Sequence, residues 1–204
     1  ILGRGQSAYF RLEKGGRVQN IELGFTEPWL FDTPTSAGFD IFHVTRSWTE
    51  TQYKEQRKGF DLRLSRPIPW LEYTRLHWMY KLEDIKLFDF REEYEPGPGY
   101  PDLREESWPK RSSSTRLTMV RDSRDNIFNA TMGTRNSISS EFAGGILGGE
   151  ADFQRYEAET RWYGTTVSKF VLMLRARAGI LDEYGEVSPF LEIERFKVGG
   201  VGDW

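Results

Sequence analysis

The sequence of 204 residues contains no cysteine, which excludes disulfide bonds, thiolate metal sites and a cysteine nucleophile. It also lacks any run of about 18 apolar residues, the length that a membrane-spanning helix requires. The formal net charge is only -3, so the charge gives no support to nucleic-acid binding. A soluble domain and a membrane protein that crosses with strands both remain compatible with these absences, because strands of a barrel are apolar on one face only.

Aromatic residues and glycine are abundant, at 15% of the chain and 20 residues respectively. Together they favour an all-β architecture over a helical one. The chain begins at Ile1 without a signal-peptide pattern and starts in the middle of a regular pattern. We therefore expect it to be an internal piece of a larger β-protein.

Apolar and polar residues alternate with a period of two along most of the chain. The alternation predicts nine strands and no convincing helix. The segments lie at about 8–12, 21–25, 36–48, 60–64, 75–83, 115–119, 135–143, 155–162 and 170–180. The alternation slips near Phe42, where we predict a β-bulge.

The connections between these strands alternate in character. Short or compact turns occur at 27–34, 66–70, 124–133 and 164–166, whereas long polar loops occur at 86–113, 144–150 and from 182 onward. The tight hairpin at 14–17 is the exception on the long-loop side. Trp29, Trp70 and Phe128 lie at the short-turn end, where an interfacial aromatic girdle is expected. This asymmetry is typical of an antiparallel transmembrane β-barrel of the outer-membrane type.

A soluble β-sandwich gives the same alternation and stays open as an alternative. The membrane barrel is favoured because Arg and Glu interleave on the polar face of strand after strand, which suits a wet lumen. We expect these lumen-facing residues to be either an ion-pair lattice or separately solvated charges: Arg63, Arg75, Lys81, Glu83, Arg155, Glu157, Glu159, Arg161, Arg175 and Arg177. The predicted lipid-facing residues are Phe60, Leu62, Leu64, Leu76, Trp78, Leu172, Leu174 and Ile180.

Four short motifs resemble the BamA family, the central subunits of the outer-membrane β-barrel assembly machinery. They are Leu2-Gly3-Arg4-Gly5-Gln6, Phe25-Thr26-Glu27-Pro28-Trp29-Leu30-Phe31, Asp122-Ser123-Arg124-Asp125-Asn126 with Phe128 and Gly133, and Phe196-Lys197-Val198-Gly199-Gly200. The first is weak alone, and the second and third are moderately specific. Their order and spacing along the whole chain carry the resemblance.

The resemblance implies that residues 1–204 form part of a transmembrane barrel domain of about 16 strands. The part would run from the end of the second strand to the start of the sixth extracellular loop, without the family's periplasmic repeat domains. It implies a multi-pass protein in the outer membrane of a Gram-negative-type bacterium that folds and inserts β-barrel proteins through a lateral seam. The implied partners are outer-membrane lipids, nascent β-barrel substrates and periplasmic lipoprotein subunits, with no catalytic residue, metal or cofactor. A related two-partner secretion barrel that exports a polypeptide is the alternative.

Other signals point less clearly to chemistry. Glu92, Glu93, Glu105 and Glu106 could form glycosidase-like carboxylate pairs, but they lie in a predicted polar loop where solvated acids are common. The two histidines, His43 and His77, fall on different predicted strands, and a metal site needs more ligands than these. The glycine pairs at 144–145 and 148–149 precede no helix, so they do not indicate a phosphate-binding loop.

We predict that Phe196, Gly199 and Gly200 help the sixth loop to fold back into the lumen, because glycine permits a close approach of backbones. Replacing both glycines by Val should lower the amount of assembled barrel in the membrane. Wild-type amounts of assembled barrel in that double variant would refute this role.

Overall fold

The computed structural model describes residues 5–47, 52–96, 101–166, 170–184 and 193–194. Nine strands lie in these ranges and form one antiparallel sheet in chain order. They are β1 Ser7–Lys14, β2 Val18–Glu27, β3 Ser36–Ser47, β4 Lys54–Pro67, β5 Thr74–Phe88, β6 Lys110–Asp122, β7 Gly133–Ala143, β8 Phe153–Thr165 and β9 Val171–Glu183. Helical structure in the same ranges is limited to single turns at Leu30–Asp32 and Gly145–Leu147 and to the two residues 193–194. No helix among them has the length and apolar character to cross a membrane.

The short connections between most strands favour this topology. Most strands are followed closely by the next and pair with it in an antiparallel hairpin, and β6 pairs with β5 across the longer connection 89–109. The prediction of nine antiparallel strands is confirmed. The β-sandwich alternative is wrong, because the strands of the described ranges form a single sheet and not two stacked ones.

The pairing of β3 with both its neighbours is continuous. Partners run without a break from Val18↔Arg46 to Glu27↔Ala37 on one side, and from Ser36↔Ser65 to Ser47↔Lys54 on the other. The bulge predicted near Phe42 is therefore wrong. The sequence pattern slips there because the two faces of the strand exchange their polarity, and no residue is inserted.

The long loop is shorter than predicted because the strands that flank it are longer. β4, β5 and β6 contain 14, 15 and 13 residues, whereas about 9–11 residues suffice to cross a bilayer. The strands include 86–88 and 110–113, which we expected to be loop, so the connection covers only 89–109.

The compact turns lie together at one end of the sheet, and their aromatic side chains point away from it. Trp29, Trp70 and Phe128 are 57%, 82% and 98% exposed. The turn between β6 and β7 is held by Asp125, whose carboxylate accepts the backbone N–H groups of Thr131 and Met132 at 2.9 and 3.2 Å. These hydrogen bonds hold a compact turn at the place where the sequence predicted one.

We predict that Gly59 of β4 is required for close packing against β5. A Cβ atom at this position would lie 2.1 Å from the carbonyl oxygen of Leu82 and 2.7 Å from the Cα of Glu83. Gly59→Ala should lower the free energy of unfolding by roughly 1–3 kcal/mol, measured by urea unfolding in detergent. Gly16→Ala is the control, because nothing lies within 4 Å of the position that its added methyl group would occupy. Equal unfolding midpoints for the two variants would contradict this packing constraint.

Candidate functional site: the two faces of the sheet

The register assigns the eight predicted lipid-facing residues to one face, which we call the outer face. Leu62 lies opposite Tyr80, and Leu64 lies opposite Trp78, which in turn lies opposite Leu117. Most of these side chains are well exposed, from 36% for Leu76 to 67% for Ile180. The remaining members on this face are Phe60, Leu172 and Leu174. The outer face is thus a broad apolar surface that no other part of the described chain covers.

The ten predicted lumen-facing residues share the opposite, inner face. Nine of them belong to ion pairs: Arg63, Lys81, Glu83, Arg155, Glu157, Glu159, Arg161, Arg175 and Arg177. Arg75 makes no ion pair with any described residue. Its Nε–H donates to the Ser65 hydroxyl at 3.4 Å. The charges of this face therefore form a lattice instead of standing apart.

Two carboxylates of the lattice are each shared by several arginines. Glu159 lies 2.6 Å from both Arg161 and Arg175. Glu141 pairs with Arg116 and lies 3.4 Å from Arg155, although its side chain is only 3% exposed. A carboxylate this deeply buried is stable as an anion only when cations surround it, so these glutamates organise the arginines around them.

Glu194 adds a charge to the inner face from outside the sheet. Its two carboxylate oxygens lie 2.8 Å from Arg57 and 2.7 Å from Arg155. Burial by itself raises the pKa of this carboxyl, but the positive charges of Arg57, Lys81 and Arg155 hold the pKa at about 2. Glu194 is therefore an anion at neutral pH. Its stabilising contribution is present above the ordinary glutamate pKa of about 4.3 and is lost as the pH falls through about 2.

The two faces exchange polarity toward the long-loop end of the sheet. On β5 the outer face continues from apolar Leu82 to Asp84, whereas the inner face continues from Glu83 to Ile85. On β3 the same exchange places Phe42 on the inner face. The outer-face side chains of three adjacent strands form a charged row, in which Asp84 lies 3.9 Å from Lys58 and 2.9 Å from Arg111. The apolar surface of the outer face ends at this row.

The inner face at the long-loop end is covered by an apolar group that we call the cap cluster. Its buried members are Tyr53, Ile85, Leu87, Tyr94, Leu103, Ala143, Ala151 and Phe153, and Phe90, Trp108, Leu181 and Ile193 pack against them. The connection 89–109 supplies several of these side chains, and the Trp108 indole N–H donates to the Leu103 carbonyl at 2.9 Å. We expected this connection to be a polar loop. The apolar side chains spaced among its charges were the signal for a cap.

Two weaker sequence signals do not combine into a site. His43 lies on the outer face and His77 on the inner face, so the two imidazoles cannot share a ligand. Over the described ranges, no group of three or more His, Asp or Glu side chains could hold a metal ion. Phe196, Gly199 and Gly200 lie outside the described residues.

Comparison with known proteins identifies the family of this two-faced sheet. Residues 1–204 match the Omp85 superfamily domain. The chain belongs to the Omp85 superfamily. The sheet also superimposes on the crystal structure of BamA from Haemophilus ducreyi lacking POTRA domains 1–3, with a TM-score of 0.76 and 19% identity over 98% of this chain and 40% of that one. The fold of this Omp85 chain is thus the open wall of an antiparallel outer-membrane-type β-barrel.

Relatives of this Omp85 chain occur in bacteria and in vertebrates. It is 27% identical to the outer membrane protein assembly factor BamA of Nitratidesulfovibrio vulgaris, over 98% of this chain and 24% of that protein. It is 24% identical to the sorting and assembly machinery component 50 homolog of Xenopus tropicalis, over 98% of this chain and 41% of that protein. The chain therefore spans less than half the length of these relatives.

Proposed function

We propose that this chain is part of an assembly factor that folds and inserts β-barrel proteins into the outer membrane of a Gram-negative-type bacterium. The observation that carries the proposal is the match of the whole chain to the Omp85 domain, together with a sheet that is apolar outside and charged inside. Relatives from bacteria and from Xenopus are both named for assembly rather than for export, which favours assembly over the secretion alternative.

The physical problem that such a factor solves is the cost of unpaired backbone groups. An incoming strand that enters hydrocarbon alone exposes N–H and C=O groups without partners, at several kcal/mol each. A barrel whose seam opens laterally offers a strand edge, on which the incoming strand pairs by β-augmentation. This mechanism needs no covalent step. The implied partners are nascent barrel substrates, outer-membrane lipids and periplasmic lipoprotein subunits.

In this proposal the two faces of the wall have different surroundings. Leu62, Leu64 and the other apolar residues of the outer face contact lipid, which explains why so many large apolar side chains are exposed. The ion-pair lattice of the inner face lines the lumen. The exposed Trp29, Trp70 and Phe128 lie in the interface on the periplasmic side.

The assembly activity is tested with the full-length protein in phosphatidylcholine vesicles. A urea-unfolded outer-membrane β-barrel is added, and its folding is followed by the mobility shift of folded barrels on cold gels. We expect folding about tenfold faster than in vesicles that hold an unrelated barrel, equal to a barrier about 1.4 kcal/mol lower. Equal rates in the two kinds of vesicle would overturn the assembly function and leave the fold assignment intact.

The lipid contact of the outer face is tested by arginine substitutions at two positions on β4, one within the apolar surface and one beyond it. We expect Leu62→Arg to destabilise the protein folded in vesicles, with a free energy of unfolding about 2–4 kcal/mol lower, because arginine near the bilayer midplane is costly. Gln56→Arg is the matched control on the same strand and the same face, beyond the polarity exchange and next to Lys54 and Lys58. Equal losses in the two variants would show that the apolar surface does not lie in hydrocarbon.

A further inference from the structure

One carboxylate joins two distant strands of the sheet. Glu194 Oε1 accepts from Arg57 Nη1 at 2.8 Å, and Glu194 Oε2 accepts from Arg155 Nη2 at 2.7 Å. The same Arg155 nitrogen also donates to the backbone carbonyl of Glu194 at 2.7 Å. Arg155 is thus bonded to both the side chain and the main chain of one residue, and the Glu194 side chain is only 14% exposed.

The two arginines belong to strands that make no ladder with each other. Arg57 lies on β4 and Arg155 on β8. Four strand spacings separate these strands, or about 19 Å across a flat sheet at about 4.8 Å per strand. The backbone ladder couples them only through β5, β6 and β7. Glu194 couples them directly across the inner face.

The two arginines that contact Glu194 also contact other carboxylates of the inner face. Arg57 also pairs with Glu55 and Glu83, and Arg155 also pairs with Glu141. With Lys81 on Glu83 and Arg116 on Glu141, the described residues of this connected set are four cations and four carboxylates, Glu194 included. Removal of Glu194 takes one carboxylate partner away from arginines that are 20% and 11% exposed. The loss of one partner from a buried ion pair is strongly unfavourable.

The neighbouring residue adds an apolar contact to the ionic one. Ile193 precedes Glu194 in the same helical turn and packs against the cap cluster. The two residues together therefore contact the wall through charge and the cap through apolar surface.

We propose that Glu194 is a positioning residue that holds residues 193–194 against the inner face between β4 and β8, so that the cap cluster and the sheet move as one unit. The role does not depend on the assembly activity proposed above. Without this contact, Ile193 would be free to leave the cap cluster and become accessible from water.

The accessibility of position 193 gives a direct test, because the chain contains no cysteine of its own. The full-length protein carrying Ile193→Cys is labelled in detergent with a charged maleimide. We expect the added Glu194→Gln substitution to raise the labelling rate about tenfold, the smallest factor that the loss of one charge-assisted hydrogen bond gives. Glu157→Gln is the matched control, since Glu157 is an inner-face glutamate paired with Arg177 at 3.0 Å and outside the connected set.

Two further comparisons separate positioning from a general loss of stability. Arg57→Gln should also raise the labelling rate, and its combination with Glu194→Gln should add little, because both act through one contact. Glu194→Asp keeps the charge but is one methylene shorter, so it should give an intermediate rate and serves if Glu194→Gln does not fold. A parental labelling rate in Glu194→Gln, the same rise in Glu157→Gln, or additive effects of Arg57→Gln and Glu194→Gln would each overturn the proposal.

Discussion

Backbone N–H and C=O groups in hydrocarbon have no water to bond, so a wall that lies in a membrane must pair every strand with its neighbours. The eight ladders from β1–β2 to β8–β9 meet this requirement without a bulge in the described strands. Unbroken pairing also fixes which side chains share a face. A shift of one residue in any ladder would turn the arginines of that strand outward.

The inner-face lattice is a consequence of this constraint. Because the outer face holds apolar side chains over most of its area, most charged residues of the strands collect on the inner face, where those of neighbouring strands pair with one another. Glu141 shows the result: it is nearly fully buried, yet it is stable because Arg116 and Arg155 contact it from neighbouring strands. The lattice and the apolar surface are two results of one register.

The period of two in the sequence predicted the strands and which residues share a face. It did not predict the position along a strand at which the two faces exchange polarity. Phe60, Leu62 and Leu64 placed β4 and its faces correctly, because the apolar side chains of this strand share one face and its charged side chains share the other. The same rule failed at Phe42, since the alternation inverts where the strand passes beyond the apolar surface. Nothing local distinguishes that inversion from a bulge. The contact of Glu194 with Arg57 was also beyond prediction, because the two residues are 137 positions apart and no local pattern in the sequence links them.

The row of Lys58, Asp84 and Arg111 has a consequence for the surrounding bilayer. In the membrane setting proposed above, these charges resist entry into hydrocarbon, just as the apolar residues below them resist exposure to water. The wall therefore cannot slide vertically to suit lipids of another length. In that setting a thicker or thinner bilayer would have to thin or thicken next to the sheet at a small cost per ångström, so the protein would set the local membrane thickness beside β4, β5 and β6.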